Sequence, residues 1–279
     1  MQCSWLPEAT SILDDIKTLG REGKPAGTFS VVGAQSQGRG RQGRLWLDAG
    51  SPLAAGVLLR PQAPMGLLTG LAPVCGYACV RALKAAGVPC ALAWPNDIVT
   101  EGAKLGSVVC EAGYGDGVFV AAAVMLNVAD APISFASCGS PEPRPAATLE
   151  AFLPELAQDA QKCARLGQDL CAAMEAECGR WGAAVGQGAG AAGPLGPILS
   201  AWFDEMPLMG QPVRALLPDG RVAAEGLLAG IDGWGRITVV GADGQERELS
   251  FEQASLRPVA QECEPEAQGR AGGEGFSAV

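Results

Sequence analysis

Histidine is absent from all 279 residues of this chain. That removes Ser-His-Asp and Cys-His nucleophilic catalysis and every histidine-containing zinc site, leaving arginine, lysine, carboxylates, amides or a bound metal to carry any chemistry. Positive charge is also scarce. The 20 Lys and Arg stand against 30 Asp and Glu, a formal net charge of -10, which argues against a nucleic-acid partner. No stretch supplies the ~20 unbroken apolar residues of a membrane span. The opening MQCSWLPEATSILDD lacks the basic and apolar regions of a signal peptide. The expectation is a cytoplasmic protein with no membrane and no nucleic-acid partner. The ten cysteines include no CxxC pair. Cys75, Cys79 and Cys110 lie in apolar segments and read as small buried hydrophobes in a reducing compartment, and Cys163, Cys171 and Cys178 share a helical spacing that fits core packing.

The length suits one large domain plus one small one, and the 48% hydrophobic content supports a proper core. Apolar periodicity predicts helices over 12–19, 66–86 and 198–206, with Pro73 kinking the second or marking its true start. A further helix, or a pair broken near Pro154 and Gly167, is expected over 148–180. Strand-like runs occupy 28–32, 53–59 and 90–94, and 104–112 and 118–128 form a hairpin around Gly113 to Gly117. Residues 182–197 are almost entirely Gly, Ala and Pro and read as a flexible linker. After Met209, short strands and tight turns follow one another at the spacing of a small β-barrel, and 261–279 is acidic, glycine-rich and poor in apolar groups, as a disordered tail would be.

The run AQSQGRGRQGRLW from Ala34 to Trp46 sets Arg39, Arg41 and Arg44 among Gly38, Gly40 and Gly43, with no acidic residue inside it. On an acidic chain such an island suits one anion better than a polymer. If extended, it points Arg39 and Arg41 to one side, while the glycines let backbone N–H groups approach a phosphate or carboxylate. A solvated surface loop would carry the same composition. A second stretch, AWPNDIVTEGAKLGSVVCE from Ala93 to Glu111, holds Asn96, Asp97 and Lys104. Asn and Asp favour turns in any case, and a lysine opening an apolar strand can simply snorkel to solvent.

Together the two stretches resemble the biotin protein ligase family (biotin–acetyl-CoA-carboxylase ligases), whose members carry a GRGRxGR-W loop, a WPND segment and a K-L/I-x-G strand in this order. Asn127 near the end of an apolar strand, and Gly210 to Pro212 followed by Gly230, Ile231, Asp232 and Gly235, extend the likeness over roughly residues 8–256. The resemblance implies an α+β fold: a mixed sheet with helices over 1–206, an SH3-like C-terminal domain over 207–260, and no N-terminal helix-turn-helix domain. It implies ATP-dependent activation of biotin to biotinyl-5'-AMP and transfer to a lysine of a biotin carboxyl carrier protein, with ATP and Mg²⁺ as cofactors and room for a homodimer. On that pattern Thr10 and Gln35 contact the biotin head group, and Gly38 and Gly40 bring backbone close to the ligand. Arg39 and Arg41 hold carboxylate and phosphate, while Arg44 and Trp46 organise the adenylate loop. Lys104, with Arg41 an unpaired cation in the sequence, neutralises developing charge. Asn96 and Asp97 position phosphates, Asp97 as the Mg²⁺ ligand, and Asn127 completes the set. Lys104, Arg41 and Asp97 are the catalytic candidates.

Four positions depart from the family pattern. Ser107 replaces the glycine after K-L-x, Ala123 and Met125 replace glycines of the strand that carries Asn127, and Ala93 stands where a basic residue often precedes WPND. These changes bear on pocket shape, and they keep two alternatives open: a degenerate homologue that binds an adenylate without transfer, and a lipoate or octanoyl-type acyltransferase of the same fold.

Overall fold

The computed structural model describes residues 3–46, 52–129 and 144–259. The expected tail over 261–279 and part of the expected loop over 139–147 lie outside these residues.

Seven strands form the larger sheet. In chain order they are β1 (Cys3–Ala9), β2 (Phe29–Gln35), β3 (Pro52–Leu59), β4 (Ala91–Ala93), β5 (Asp97–Thr100), β6 (Ala103–Gly115) and β7 (Gly117–Asn127). Their spatial order is β1-β2-β3-β7-β6-β5-β4, with β1 parallel to β2 and the other pairs antiparallel. The β6–β7 hairpin places Ser107 opposite Met125 and Gly106 opposite Leu126. Gly106 allows this pairing, because a Cβ there would lie 2.4 Å from the Met125 carbonyl oxygen.

Each face of the sheet is covered by helices. Helix α1 (Ile12–Arg21) lays Ile12, Leu13 and Ile16 on one face, against Val32, Ala54, Leu58, Ala121, Ala123 and Met125. Its apolar residues recur at helical spacing while Asp14 and Asp15 stay on the outer side, so burial of that stripe holds it in place. Helices α2 (Leu71–Ala85) and α3 (Ala160–Gly186) cover the other face, with Val74, Leu170, Met174 and Trp181 in the main core. Pro73 lies in the first turn of α2, where a missing N–H costs nothing, so it marks the start and makes no kink. The helical run Met65–Ala85 is long and apolar enough to cross a membrane by composition, yet 61% of its apolar 18-residue stretch is buried inside the fold as a core helix.

Two expectations are corrected on this face. The helix expected from 148 begins at Ala160, where Asp159 accepts the N–H groups of Gln161 and Lys162, and it runs through Gly167 unbroken. Gly167 lets the helix approach the sheet closely: a Cβ would meet Val31 at 2.6 Å. The stretch 182–197 is not a flexible linker. Its first residues complete α3, Leu195 is fully buried, and the Pro194 carbonyl accepts the Trp181 indole N–H at 2.7 Å. Small residues are used there for close packing, as where Gly193 lies against Gly233.

After α4 (Leu199–Asp204) the chain forms a second, antiparallel sheet from β8 (Pro212–Leu216), β9 (Val222–Ile231), β10 (Ile237–Val240), β11 (Glu246–Leu249) and β12 (Ser255–Pro258), in the order β11-β10-β9-β8-β12. Among the described residues no pairing closes β11 onto β12. The two sheets are joined through Trp94, which is buried, donates its indole N–H to the Gly235 carbonyl at 2.9 Å and packs on Phe251 with ring centroids 5.6 Å apart. Replacing Trp94 by Phe keeps an aromatic body but strands a buried carbonyl, so a loss of about 1–3 kcal/mol is expected in denaturant unfolding. An unchanged midpoint and slope would show that the sheets are held together elsewhere.

Candidate functional site

Strand β2 ends at Gln35, which is buried, and its side-chain oxygen accepts the Ile12 N–H at 2.9 Å, capping α1. Ser11 holds the N-cap position with extended backbone, but its hydroxyl makes no cap bond to the helix, and Gln35 caps it instead. Thr10 is exposed, and its carbonyl accepts the Gln37 N–H at 2.8 Å. The first expected ligand residues therefore stand where the α1 N-terminus meets the start of the arginine loop.

The loop itself is a tight reversal and not an extended run. Trp46 N–H donates to the Gly38 carbonyl at 2.8 Å and Gly40 N–H to the Arg44 carbonyl at 2.7 Å, closing a small antiparallel ladder. Its tip is a 3-10 turn at Arg41–Gly43, with Gln42 at φ 59 and Gly43 at φ 71. This reversal overturns the expectation that Arg39 and Arg41 share a side. Arg39 makes a two-pronged pair with Asp14 of α1 at 2.6 and 2.7 Å, and its hydrogen bond holds the Asp14 carboxyl below its usual range. Arg41 turns toward the smaller sheet and donates to the carbonyls of Phe251 and Ala254, while Gln42 donates to that of Glu252 at 2.8 Å. Burial pushes the Arg41 guanidinium down to about 10, against the attraction of Asp97. Arg44, half-buried, repels Arg41 across the turn.

The second motif lies across from this loop. Asn96 is buried and spends its amide inside the fold, donating to Ser107 Oγ at 2.9 Å and the Val108 carbonyl at 2.7 Å. It braces the turn that carries Asp97, and its amide hydrogens are already spent within the fold. Ser107 donates back to the Asn96 carbonyl at 3.3 Å, which accounts for a hydroxyl where the family keeps glycine. Neither candidate cation is unpaired: Arg41 is held as above, and Lys104 Nζ lies 2.8 Å from Asp97 Oδ1 and 5.4 Å from the centroid of the buried Trp46 ring. The Lys104 backbone is gripped on both sides, its N–H by the Pro145 carbonyl at 2.6 Å and its carbonyl by Ala147 N–H at 2.9 Å. Asn127 Nδ2 bridges the Lys104 and Ala147 carbonyls, at 3.1 Å each, so Asn127 fixes the lysine and does not face outward.

Two cations that the local sequence pattern did not single out complete the cluster. Arg144 places Nε 3.9 Å from Asp97 Oδ2 and donates through Nη2 to the Leu256 carbonyl at 2.8 Å, and Arg257 of β12 also acts on Asp97. Burial penalises the Asp97 carboxylate, but Lys104, Arg144 and Arg257 together outweigh that penalty and hold it below the usual range. A magnesium ligand is a poor fit for this residue, because one oxygen faces a lysine and the other an arginine. Lys104, Asp97, Trp46, Asn127 and Arg41 thus share one basic cluster, whereas Thr10, Gln35 and Arg39 sit at the α1 end. Between them, Met125 and Ala123 are fully buried with Ile12 and Trp46 in the apolar layer beneath α1.

Residues 12–128 match the model of the Biotin/lipoate A/B protein ligase family. Over 219 residues, 76% of this chain and 83% of that protein, the sequence is 29% identical to the biotin–[acetyl-CoA-carboxylase] ligase of Paracoccus denitrificans. The fold is similar to that of the biotin protein ligase from Aquifex aeolicus, solved in complex with biotin and ATP, with a TM-score of 0.65, 23% identity and coverage of 92% of this chain and 99% of that one. It is also similar to the biotin acetyl coenzyme A carboxylase synthetase from Helicobacter pylori, solved with bound biotinylated ATP, with a TM-score of 0.53, 16% identity and coverage of 88% and 99%.

The charge cluster has a pH signature. Because the Asp97 carboxyl is depressed below its ordinary 3.8 in the folded state, its stabilisation is complete above that value and is lost as pH falls through the folded one. Asp97→Asn has no such contribution to lose. Its melting temperature should lie below wild type near neutral pH, and the gap should narrow once pH drops below about 4. A gap that stays constant into strong acid would mean that Asp97 is not held by its cations.

Proposed function

We propose that this chain, which belongs to the biotin/lipoate A/B protein ligase family, is a biotin protein ligase that makes biotinyl-5'-AMP from biotin and ATP and passes the biotinyl group to a lysine of a carboxyl carrier protein. A carboxylate is too poor an electrophile to acylate an amine directly. Attack of the biotin carboxylate on the α-phosphate of ATP releases pyrophosphate and leaves a mixed anhydride. The carrier lysine then attacks its carbonyl carbon, and AMP departs with the bonding electrons.

The observation that carries this reading is the basic cluster built around Lys104 on a chain of net charge -10. Lys104 is half sheltered, with its side chain 22% exposed, and its backbone is fixed, so its ammonium can be aimed at negative charge developing between carboxylate and phosphate. Arg41 brings a second cation from the loop, and the face of Trp46 offers an apolar surface beside them. Thr10 and Gln35 mark the end of the site where the biotin head group fits, with Gly38 and Gly40 on the adjoining backbone. One observation favours a second reading, binding without transfer: Met125 and Ile12 fill the layer beneath α1 with apolar side chains.

Incubation with ATP, labelled biotin and a carboxyl carrier domain, scored for covalent label, separates the two. Label on the carrier is the expected result, and biotin binding without label would favour the second reading. Lys104→Ala and Arg41→Ala should each cut ATP–pyrophosphate exchange by about 100-fold or more while the fold survives. Exchange at the wild-type rate in either variant would remove that residue from the chemistry. Met125→Gly should tighten biotin binding more than ATP binding in calorimetry, because methionine must bend aside where glycine leaves bare backbone. Equal changes for both ligands would place Met125 outside the biotin pocket.

A further inference from the structure

Arg144 enters the cluster from a segment that carries none of the recognised motifs. Residues 144–147 run beside Lys104 as a short strap, joined by a parallel bridge between Lys104 and Ala146 and by the two backbone bonds that hold the lysine in place. At the head of this strap the Arg144 side chain is only 4% exposed, less than Lys104 at 22% or Asp97 at 19%. A guanidinium buried this deeply stays charged and needs oxygen acceptors in fixed directions. Two are in place: the Leu256 carbonyl of β12 at 2.8 Å and, 3.9 Å from Nε, Asp97 Oδ2.

Among the cations that act on Asp97, one stands near each oxygen, at unequal range. Lys104 is in contact with Oδ1 at 2.8 Å, and Arg144 stands just beyond contact with Oδ2. The Lys104 ammonium has to leave Asp97 to meet the negative charge of an activated acid. Departure would leave a buried carboxylate without its contact partner, which is unfavourable unless another cation closes on it. Arg144 is already inside the cluster, anchored at its other end, and needs only to close the remaining gap.

We infer that Arg144 is a positioning residue for the ligase reaction, taking over the charge of Asp97 when Lys104 swings from that carboxylate to the anionic centre of the substrate. The inference rests on the ligase reading. It makes Asp97 a counter-ion shared between two cations, in keeping with the poor fit of a metal there, and it makes the Leu256 carbonyl the fixed point from which Arg144 works.

The test is a double-mutant cycle on R144Q, D97N and the combined variant, read as ATP–pyrophosphate exchange and as the affinity of a non-hydrolysable biotinyl-adenylate analogue by calorimetry, so that a slow D97N enzyme still reports. Without Arg144, Lys104 stays locked on Asp97, so R144Q should lower kcat or analogue affinity at least tenfold in the wild-type background. Once Asp97 carries no charge there is nothing to hold, and the same substitution should cost less than twofold in D97N. R144K keeps the charge and should stay within threefold of wild type, and R144M, which also removes the charge, carries the same cycle should R144Q fail to fold. Equal losses in both backgrounds would overturn the proposal and reduce Arg144 to an anchor for β12. Failure of wild type to catalyse exchange at all would instead overturn the ligase reading, and this inference with it.

Discussion

Asp97 lies where the two sheets and both sequence motifs meet, and its negative charge is what allows several cations to be packed there. Without that carboxylate, Lys104, Arg144 and Arg257 would lose the negative charge that offsets their mutual repulsion in a partly dry environment. With it, the cluster is balanced at rest and still carries more positive than negative charge. Much of the surrounding architecture can be read as support for this balance. Asn96 and Ser107 brace the turn before Asp97, Asn127 and the 144–147 strap fix Lys104, and Trp94 ties the turn to the smaller sheet.

The arginine loop solves a related problem by dispersal. Three arginines within six residues would destabilise a compact turn by mutual repulsion, and the reversal at Gln42 and Gly43 sends Arg39 to a carboxylate on α1 and Arg41 to carbonyls on the other sheet. Each guanidinium gains acceptors and the loop gains two anchors. A ligand entering this region competes with contacts that already exist, so its binding energy is a difference between two well-paired states.

Most of the architecture was legible because periodicity is a local property. The apolar stripe of α1, the β6–β7 hairpin and the change to short strands after Met209 all declare themselves within a window of about 10–18 residues. What was not legible depends on distant partners. The composition of 182–197 says linker, and only the positions of Trp181 and Gly233 turn those glycines into packing residues. Asn96 and Asn127 sit in the right motifs, yet their amides face inward because the acceptors are backbone carbonyls on other elements. Arg144 was invisible for the same reason: within its proline-rich surroundings nothing marks it, and its meaning comes from Asp97, 47 positions away, and Leu256. The departures at Ser107 and Met125 look like damage in the sequence. In the fold Ser107 has a partner in Asn96 and Met125 has neighbours in Ile12 and Trp46, so each change is matched by its surroundings.

The smaller sheet holds Arg41 and Gln42 through main-chain oxygens of Phe251, Glu252 and Ala254. A carbonyl is supplied by every amino acid, so the side chains of this turn are free to drift through evolution while the grip on the loop persists. Comparisons of sequence would then record variable positions opposite the arginine that they hold, and would score the two regions as unrelated. Mechanical dependence between them would surface only when the path of the chain is altered, by an insertion, a deletion or a proline that rotates those oxygens away.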